Sequence, residues 1–359
     1  VAVGLVPPNA GHVPWATPLL LNAWLTADSW RGVALQLVNI GLSVAIYLPF
    51  VRRNDRLQRA RTRATFARLI SSMQGILVQP GQQLLGRTDE IGSLARSLAA
   101  RLDQDLRSGR IHLAYQPKLD QAGRVTGVEA LLRWDHPLLG GVPAHVAVAI
   151  IEDAGKINEV GDRVLEMACQ QLQQWRETGL SGIEMAVNVS PLQLEDPAFA
   201  ARVERCLTRH RLAPGALEIE ITEGHLVSST ETSAHNLSAL GALGVKLAMD
   251  DFGMGYSSLL YMRRFRIDAI KLDGSLTREV LNNASCREII ASVGQLCRSQ
   301  DVRLVAEYVE TQAQRDLLAS LGCDRFQGWL YSPAVSPEAC RAYIEAQRTT
   351  ARPESRAVV

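Results

Sequence analysis

No Cys-x-x-Cys pair occurs in this sequence. Its six cysteines, Cys169, Cys206, Cys286, Cys297, Cys323 and Cys340, are scattered without the spacing of a sequence-local metal site. That excludes a zinc-ribbon or thioredoxin-like motif and predicts reduced structural thiols in a cytosolic domain. Cys323 closes a Leu-Gly-Cys turn and reads as packing. Net charge is also lacking: the formal total is +1, which argues against general affinity for DNA or RNA polymers. No glycine-rich dinucleotide fingerprint opens the first strand–helix unit. The chain begins with Val1 rather than Met, so a fragment or processed product is expected.

Hydrophobic residues make up 47% of the 359, enough for one large domain and something smaller. From Gly32 to Val51 there is no charge at all. That length suits one helix across a hydrocarbon core of about 30 Å. Trp30 and Tyr47 sit near its ends, where amphipathic rings favour the interface. Gln36, Asn39 and Ser43 suit a helix packed in a bundle. Arg52, Arg53, Arg56, Arg59, Arg61, Arg63 and Arg68 follow at once, opposed by Asp55. Such an excess marks the cytoplasmic side and could lie on anionic lipid heads. His12-Val13-Pro14-Trp15-Ala16-Thr17-Pro18, Leu35 to Asn39 and Ile46 to Phe50 resemble the end of a lactose/cellobiose-type phosphotransferase-system permease. The resemblance covers the last span or two of such a permease, so transport is not expected of this segment. The expected organisation is a permease end over 1–55 with a transmembrane helix at 32–51, and a helical linker over 56–110. A catalytic domain over 111–347 and a disordered tail over 348–359 follow. The expected location is the inner membrane, with the large domain in the cytoplasm.

In the linker, Phe66, Leu69, Ile70, Met73, Ile76 and Leu77 share one helical face, and Pro80-Gly81 breaks it. Ile91, Leu94, Ala95, Leu98, Leu102 and Leu106 share another. Asp89-Glu90-Ile91-Gly92 echoes a signalling-linker motif, although an amphipathic connector explains the run as well. Beyond residue 111, strands are predicted at 112–117, 127–132, 183–189, 217–222, 245–250, 268–272, 302–306 and 324–327. Helices fit at 158–177, 198–209, 231–242, 286–299 and 311–320. This alternation predicts an α/β fold, a TIM-like (β/α) barrel; a doubly wound sheet is the alternative.

Polar residues cluster at one end of these strands. Glu129 lies within the second, Asn188 near the end of the third, and Glu220 and Glu223 flank the end of the fourth. Asp250 and Asp251 close the fifth, Lys271 the sixth, Glu307 the seventh and Gln327 the eighth. Barrel chemistry sits at strand C-termini. A lone Asp there is usually a helix cap, but converging carboxylates repel unless cations neutralise them. Hard oxygen donors imply magnesium or manganese rather than zinc.

Tyr115-Gln116-Pro117, Glu129-Ala130-Leu131-Leu132-Arg133-Trp134, Asn188-Val189-Ser190, Glu220-Ile221-Thr222-Glu223, Asp250-Asp251-Phe252-Gly253, Lys271-Leu272-Asp273 and Gln327-Gly328 together resemble the EAL phosphodiesterase domain. The resemblance runs from about Ile111 to about Gln347. It implies an EAL barrel whose first strand can run antiparallel, hydrolysing cyclic di-GMP to pGpG with two divalent cations, magnesium or manganese. It further implies metal ligation by Glu129, Asn188, Glu220, Asp250, Asp251 and Glu307, with Glu307 completing the second site or orienting the water. Lys271 would steady the nucleophilic water, and Glu223 would anchor the loop after Asp251. Gln116, Arg133 and Gln327 would contact the ligand. The family also implies a homodimer through the barrel, linked to the site by the loop containing Gly253 and Gly255.

The sequence departs from the family at several points. Tyr308 stands where Gly follows the seventh-strand Glu, Met254 replaces Thr, and Arg266 replaces Pro. Pro143–Ile151 and Ser332-Pro333-Ala334 are altered. None removes an expected metal ligand. The competing reading is an EAL fold that senses cyclic di-GMP or docks a protein without turnover. A barrel hydrolase for another phosphodiester is a third, and it leaves Gln116, Arg133 and Gln327 unexplained.

Overall fold

The computed structural model describes residues 64–75, 84–137, 140–227, 230–253 and 265–350. The permease-like stretch, the span at 32–51, Met254, Gly255 and residues 351–359 lie outside these. Among the described residues no helix is long and apolar enough to cross a membrane. The chain divides into two compact units, Val1–Arg68 and Leu69–Val359; everything below concerns the second.

The linker expected to be one helical run over 91–106 is two helices, α1 (Glu90–Ala99) and α2 (Leu102–Arg107). The break lets α2 turn its Asp105 inward. That side chain is fully buried, accepting from the Trp134 indole at 3.0 Å and from Arg110 at 2.9 Å. The Asp89 motif is a helix start: its carboxylate accepts from Gly92 N at 3.1 Å. Gly92 is needed there, since a Cβ would lie 2.1 Å from the Arg87 carbonyl.

The barrel strands are β1 (Ile111–Asp120), β2 (Val125–His136), β4 (Glu184–Asn188), β5 (Leu217–Thr222), β6 (Lys246–Phe252), β7 (Ala269–Leu272), β8 (Arg303–Ala306) and β9 (Arg325–Phe326). They pair in the order β1-β2-β4-β5-β6-β7-β8-β9 and back to β1. This is a closed barrel of TIM type. β1 is antiparallel to both neighbours, as the sequence allowed, and the others run parallel. A short β3 (Gly140–Val142) extends β2 beyond the barrel.

The outer layer includes α3 (Ala144–Asp153), α4 (Ile157–Glu177), α5 (Pro191–Leu194), α6 (Phe199–Arg209), α7 (Glu223–Val227) and α8 (Glu231–Leu243). It continues with α9 (Gly274–Glu279), α10 (Ala284–Ser299), α11 (Gln312–Leu321) and α12 (Pro337–Thr350). The long helices stand within two residues of their sequence expectations. β3 and α3 were not anticipated, and α12 carries the fold past the expected boundary at 347.

Alternation along the strands builds the barrel. Val128, Met185, Val187, Ile219, Ile221, Leu247, Met249, Ile270, Leu304 and Phe326 face outward and are buried under the helices. The opposite parity points inward: Glu184 and Asn188, Glu218 and Glu220, Lys246 and Asp250, Arg303 and Glu307, Arg325 and Gln327. The inner middle carries small residues, with Ala248, Ala269 and Val305 forming one buried cluster. Their small volumes leave room for the long charged side chains above and below them.

Candidate functional site

Lys271 is the hub of the barrel mouth. Its side chain is 1% exposed, and its ammonium lies 2.7 Å from Glu220 Oε2, 2.9 Å from Glu307 Oε1, 3.1 Å from Asp250 Oδ2 and 3.6 Å from Glu129 Oε2. Four strands thus bring their carboxylates to one cation. Burial alone would discharge the lysine; Asp250, Glu129, Glu220 and Glu307 override that and hold its pKa well above the usual range.

Two carboxamides brace Glu129. Asn188 Nδ2 donates to Oε1 at 2.6 Å and Gln327 Nε2 to Oε2 at 2.7 Å. Gln327 Nε2 also donates to Gln116 Oε1 at 2.9 Å, and Gln116 Nε2 to the Ser332 carbonyl at 3.0 Å. The altered last motif therefore still touches the site. Burial pushes the Glu129 carboxyl up, but Lys271, Lys118 and the two amides bring it down to about 2.

Asp251 sits on a bulge of β6, in the left-handed region at φ 55. The Asp251 amide donates to Asp250 Oδ1 at 2.9 Å. Glu223 opens α7 and accepts from Gly253 N at 3.1 Å, so it holds the chain where the loop after Asp251 begins. Burial and the neighbouring Asp250 raise Asp251 to about 6. Burial also raises Glu307, to about 8, with Asp250 and Glu129 adding to it against Lys271. Burial and Glu129 likewise hold Glu220 well above the carboxylate range.

Burial is the largest cause of the raised values, and the excess of carboxylates over cations among the described mouth residues adds to it. The donor set is entirely oxygen: Glu129, Glu220, Asp250, Asp251, Glu307 and the Asn188 amide. Hard divalent cations fit such a set, and their charge would relieve the groups burial has pushed up.

A cavity of about 950 Å³ opens over this cluster, lined by Gln116, Glu129, Asn188, Asp250, Asp251, Lys271, Glu307 and Gln327. It extends along α3 and α4 past His145 and Val164, so the altered segment Pro143–Ile151 forms a wall of the site. Tyr308 and Trp329 line the mouth too, and both are exposed, at 53% and 74%. Arg133 is the exception among the expected contacts. It lies on β2 with the parity of Glu129 but outside the cavity lining, and its guanidinium donates to the Leu132 carbonyl at 2.8 Å. β2 carries it beyond the barrel rim, toward the pairing with β3.

Sequence reasoning missed Lys118. This buried ammonium lies 2.8 Å from Glu218 Oε1 and 2.5 Å from Glu220 Oε1. Its position two residues after Gln116 on β1 was the available signal. Trp329, two residues after Gln327, was missed as well.

The EAL-domain family model matches residues 99–334. The bifunctional diguanylate cyclase/cyclic di-GMP phosphodiesterase MucR of Pseudomonas aeruginosa is 36% identical over 244 residues, which are 68% of this chain and 36% of that protein. The cyclic di-GMP phosphodiesterase PA2567 of the same organism is 38% identical over 63% of this chain and 39% of its own length. The chain thus spans little more than a third of these curated relatives. The solved structure of the MucR phosphodiesterase in complex with c-di-GMP superposes with a TM-score of 0.65 at 36% identity, covering 68% of this chain and 99% of that one. The EAL domain of Mycobacterium smegmatis DcpA does so with a TM-score of 0.57 at 31% identity, covering 66% and 98%.

Proposed function

The chain belongs to the EAL-domain family, and from that premise we propose that its barrel hydrolyses cyclic di-GMP to pGpG with divalent cations held at the mouth. The carrying observation is the convergence of Glu129, Glu220, Asp250 and Glu307 on Lys271 beneath an open cavity. Glu129, Asn188, Glu220, Asp250, Asp251 and Glu307 would hold magnesium or manganese. When bound, such cations lower the pKa of water and stabilise charge on the phosphoryl oxygens during in-line displacement.

The rest falls to the chain. Lys271 keeps its proton and so offers a fixed positive charge as the phosphodiester gathers negative charge. Asn188 and Gln327 fix the plane of Glu129, and Gln116 fixes Gln327. Glu223 ties down the backbone after Asp251. The cavity is large enough for a ligand of dinucleotide size to bring one phosphodiester to the carboxylate cluster at the mouth.

The test is to incubate the purified chain with cyclic di-GMP and manganese and follow pGpG by chromatography. Product that disappears in Glu129→Ala supports the reading. Absence of product with any divalent cation, despite binding, would favour the sensor reading. That second reading draws on Tyr308 at the mouth and on Arg133 lying outside the cavity. Attachment to the inner membrane through the N-terminal segment and dimerisation through the barrel complete the proposal, supported by the uncharged stretch at 32–51 and by the family resemblance.

A further inference from the structure

Away from the cavity, α4 and α6 pack against each other and bring together residues that the sequence keeps apart. Glu166 and Cys169 are one turn apart on α4. Cys206 and His210 are one turn apart at the end of α6. Glu166, Cys206 and His210 present ligand atoms that all lie within 4.8 Å of one another. Cys206 Sγ is 3.6 Å from Glu166 Oε2 and 3.7 Å from the Leu165 carbonyl, and the neighbouring Cys169 thiol helps to push the Cys206 thiol up. Cys169, Cys206 and His210 are buried, and Glu166 is partly exposed.

The histidine makes this more than a packed polar cluster. Its Nδ1 lies 2.8 Å from Gln173 Oε1 and its Nε2 lies 2.9 Å from Glu166 Oε1. An amide oxygen only accepts, so Nδ1 carries the proton. In a neutral ring the Nε2 lone pair would then face a carboxylate lone pair. Two acceptors in contact need a positive species between them, either a second proton or a metal ion. A second-nitrogen hydrogen bond of the Gln173 kind is also what orients metal-binding histidines. Arg209 pairs with the other oxygen, Glu166 Oε2, at 3.1 Å, and leaves Oε1 to the histidine.

We propose that Cys206, His210 and Glu166 form a zinc site that staples α4 to α6, with Cys169, beside the Cys206 thiol, as the candidate fourth donor. Thiolate and imidazole donors favour zinc over the hard cations suited to the barrel mouth. On binding, the metal replaces the two thiol protons and the proton held between His210 Nε2 and Glu166, and all three pass to solvent. The site stands apart from the catalytic reading, since none of its residues lines the cavity.

Cobalt distinguishes it from the mouth, where the expected ligands are all oxygen. The full chain, stripped of metal, is titrated with Co²⁺ while the near-ultraviolet thiolate-to-cobalt charge-transfer band is followed. The band is expected to saturate at about one equivalent, to be displaced by zinc, and to persist in Glu129→Ala. It should vanish in Cys206→Ala and weaken at least tenfold in apparent affinity in His210→Gln. Absence of the band in the folded wild-type chain overturns the proposal and leaves an imidazolium–carboxylate pair. A band that survives both Cys206→Ala and His210→Gln overturns it too. The wild-type titration decides even if a variant fails to fold.

Discussion

The two ends of the barrel use the same residue types to opposite purposes. At the floor, where the parallel strands begin, the inward acids Glu184 and Glu218 each have a base. Arg303 and Arg325 reach Glu184 at 2.8 and 3.2 Å, Lys246 joins the same carboxylate, and Arg303 reaches Glu218 at 3.2 Å. At the mouth, carboxylates crowd one lysine, and burial together with neighbouring carboxylates pushes Glu307 and Asp251 up. Lys118 joins the two ends through Glu218 and Glu220. The inward acids of the floor are paired within the protein; those of the mouth are left in excess, which is what the proposed cations would neutralise. Mutations should therefore separate the ends: acids at the mouth matter for turnover, acids at the floor for folding.

The largest effect tests the mouth. Glu129→Ala should lower pGpG formation on the order of a thousandfold, the scale of losing one charge-stabilising group. Its melting temperature in the absence of metal should fall only modestly, because losing the contacts of Glu129 with Lys271, Asn188 and Gln327 is offset by relief of its repulsion of Glu220 and Glu307. A large fall in melting temperature would break the comparison. Lys271→Met reverses the pattern. It strips the cation from buried carboxylates, a loss of about 3–5 kcal/mol when a buried pair is broken. Calorimetry should show the fall, and added manganese should restore part of it.

Most of this architecture was legible in advance because strand and helix differ in period. Alternating stretches such as Leu217–Thr222 and the helical face of Ile157–Glu177 marked the elements closely. The mouth was legible because its residues sit at or near strand ends and their chemistry is unmistakable as a set. The floor was not, since Glu184, Lys246 and Arg303 read individually as ordinary charges at the edges of strands. Their meaning lies in parity: each is four residues before a mouth position on the same inward face. Arg133 shows the converse, a motif residue whose strand outruns the barrel. Cys169 and Cys206 show a further gap, because helix–helix packing rather than spacing brings them together.

The floor makes its own, smaller prediction. Burial pushes the Glu184 carboxyl up from 4.5, but Arg303, Arg325 and Lys246 bring it down to about 2. A folded pKa below the unfolded one contributes stability that is present above the unfolded value and lost as pH falls through the folded value. Acid should therefore erode this contribution between about pH 4.5 and about pH 2. Glu184→Gln should flatten that part of the melting-temperature profile and leave turnover at neutral pH within about twofold, well under one tenfold step of 1.36 kcal/mol. A tenfold loss of turnover would show the charge chain through Lys118 reaching the mouth.

The smallest effect on stability concerns backbone strain, which again differs between the ends. Arg211 and Asp301 adopt φ 52 and 55 just after α6 and α10, where Leu212 N and Val302 N bond back to Leu207 and Cys297. These are helix stops, and glycine there should change stability without touching turnover. Tyr308 adopts φ 54 beside Glu307. Its ring lies against Gly274, where a Cβ would come 2.5 Å from Tyr308 Cδ2, and Arg278 stacks at 5.1 Å from the ring centre. Tyr308→Gly relieves left-handed strain of about 1–2 kcal/mol. It forfeits a cation–π contact of about 0.5–1 kcal/mol and adds about 0.5–1 kcal/mol of unfolded-chain entropy. The terms nearly cancel, so the melting temperature should barely move. Removing the ring widens the mouth beside Asp251, and kcat/KM for cyclic di-GMP should rise several-fold, within one tenfold step of 1.36 kcal/mol. A fall in melting temperature with unchanged kcat/KM would make Tyr308 a structural residue, and strain would no longer distinguish the mouth from the floor.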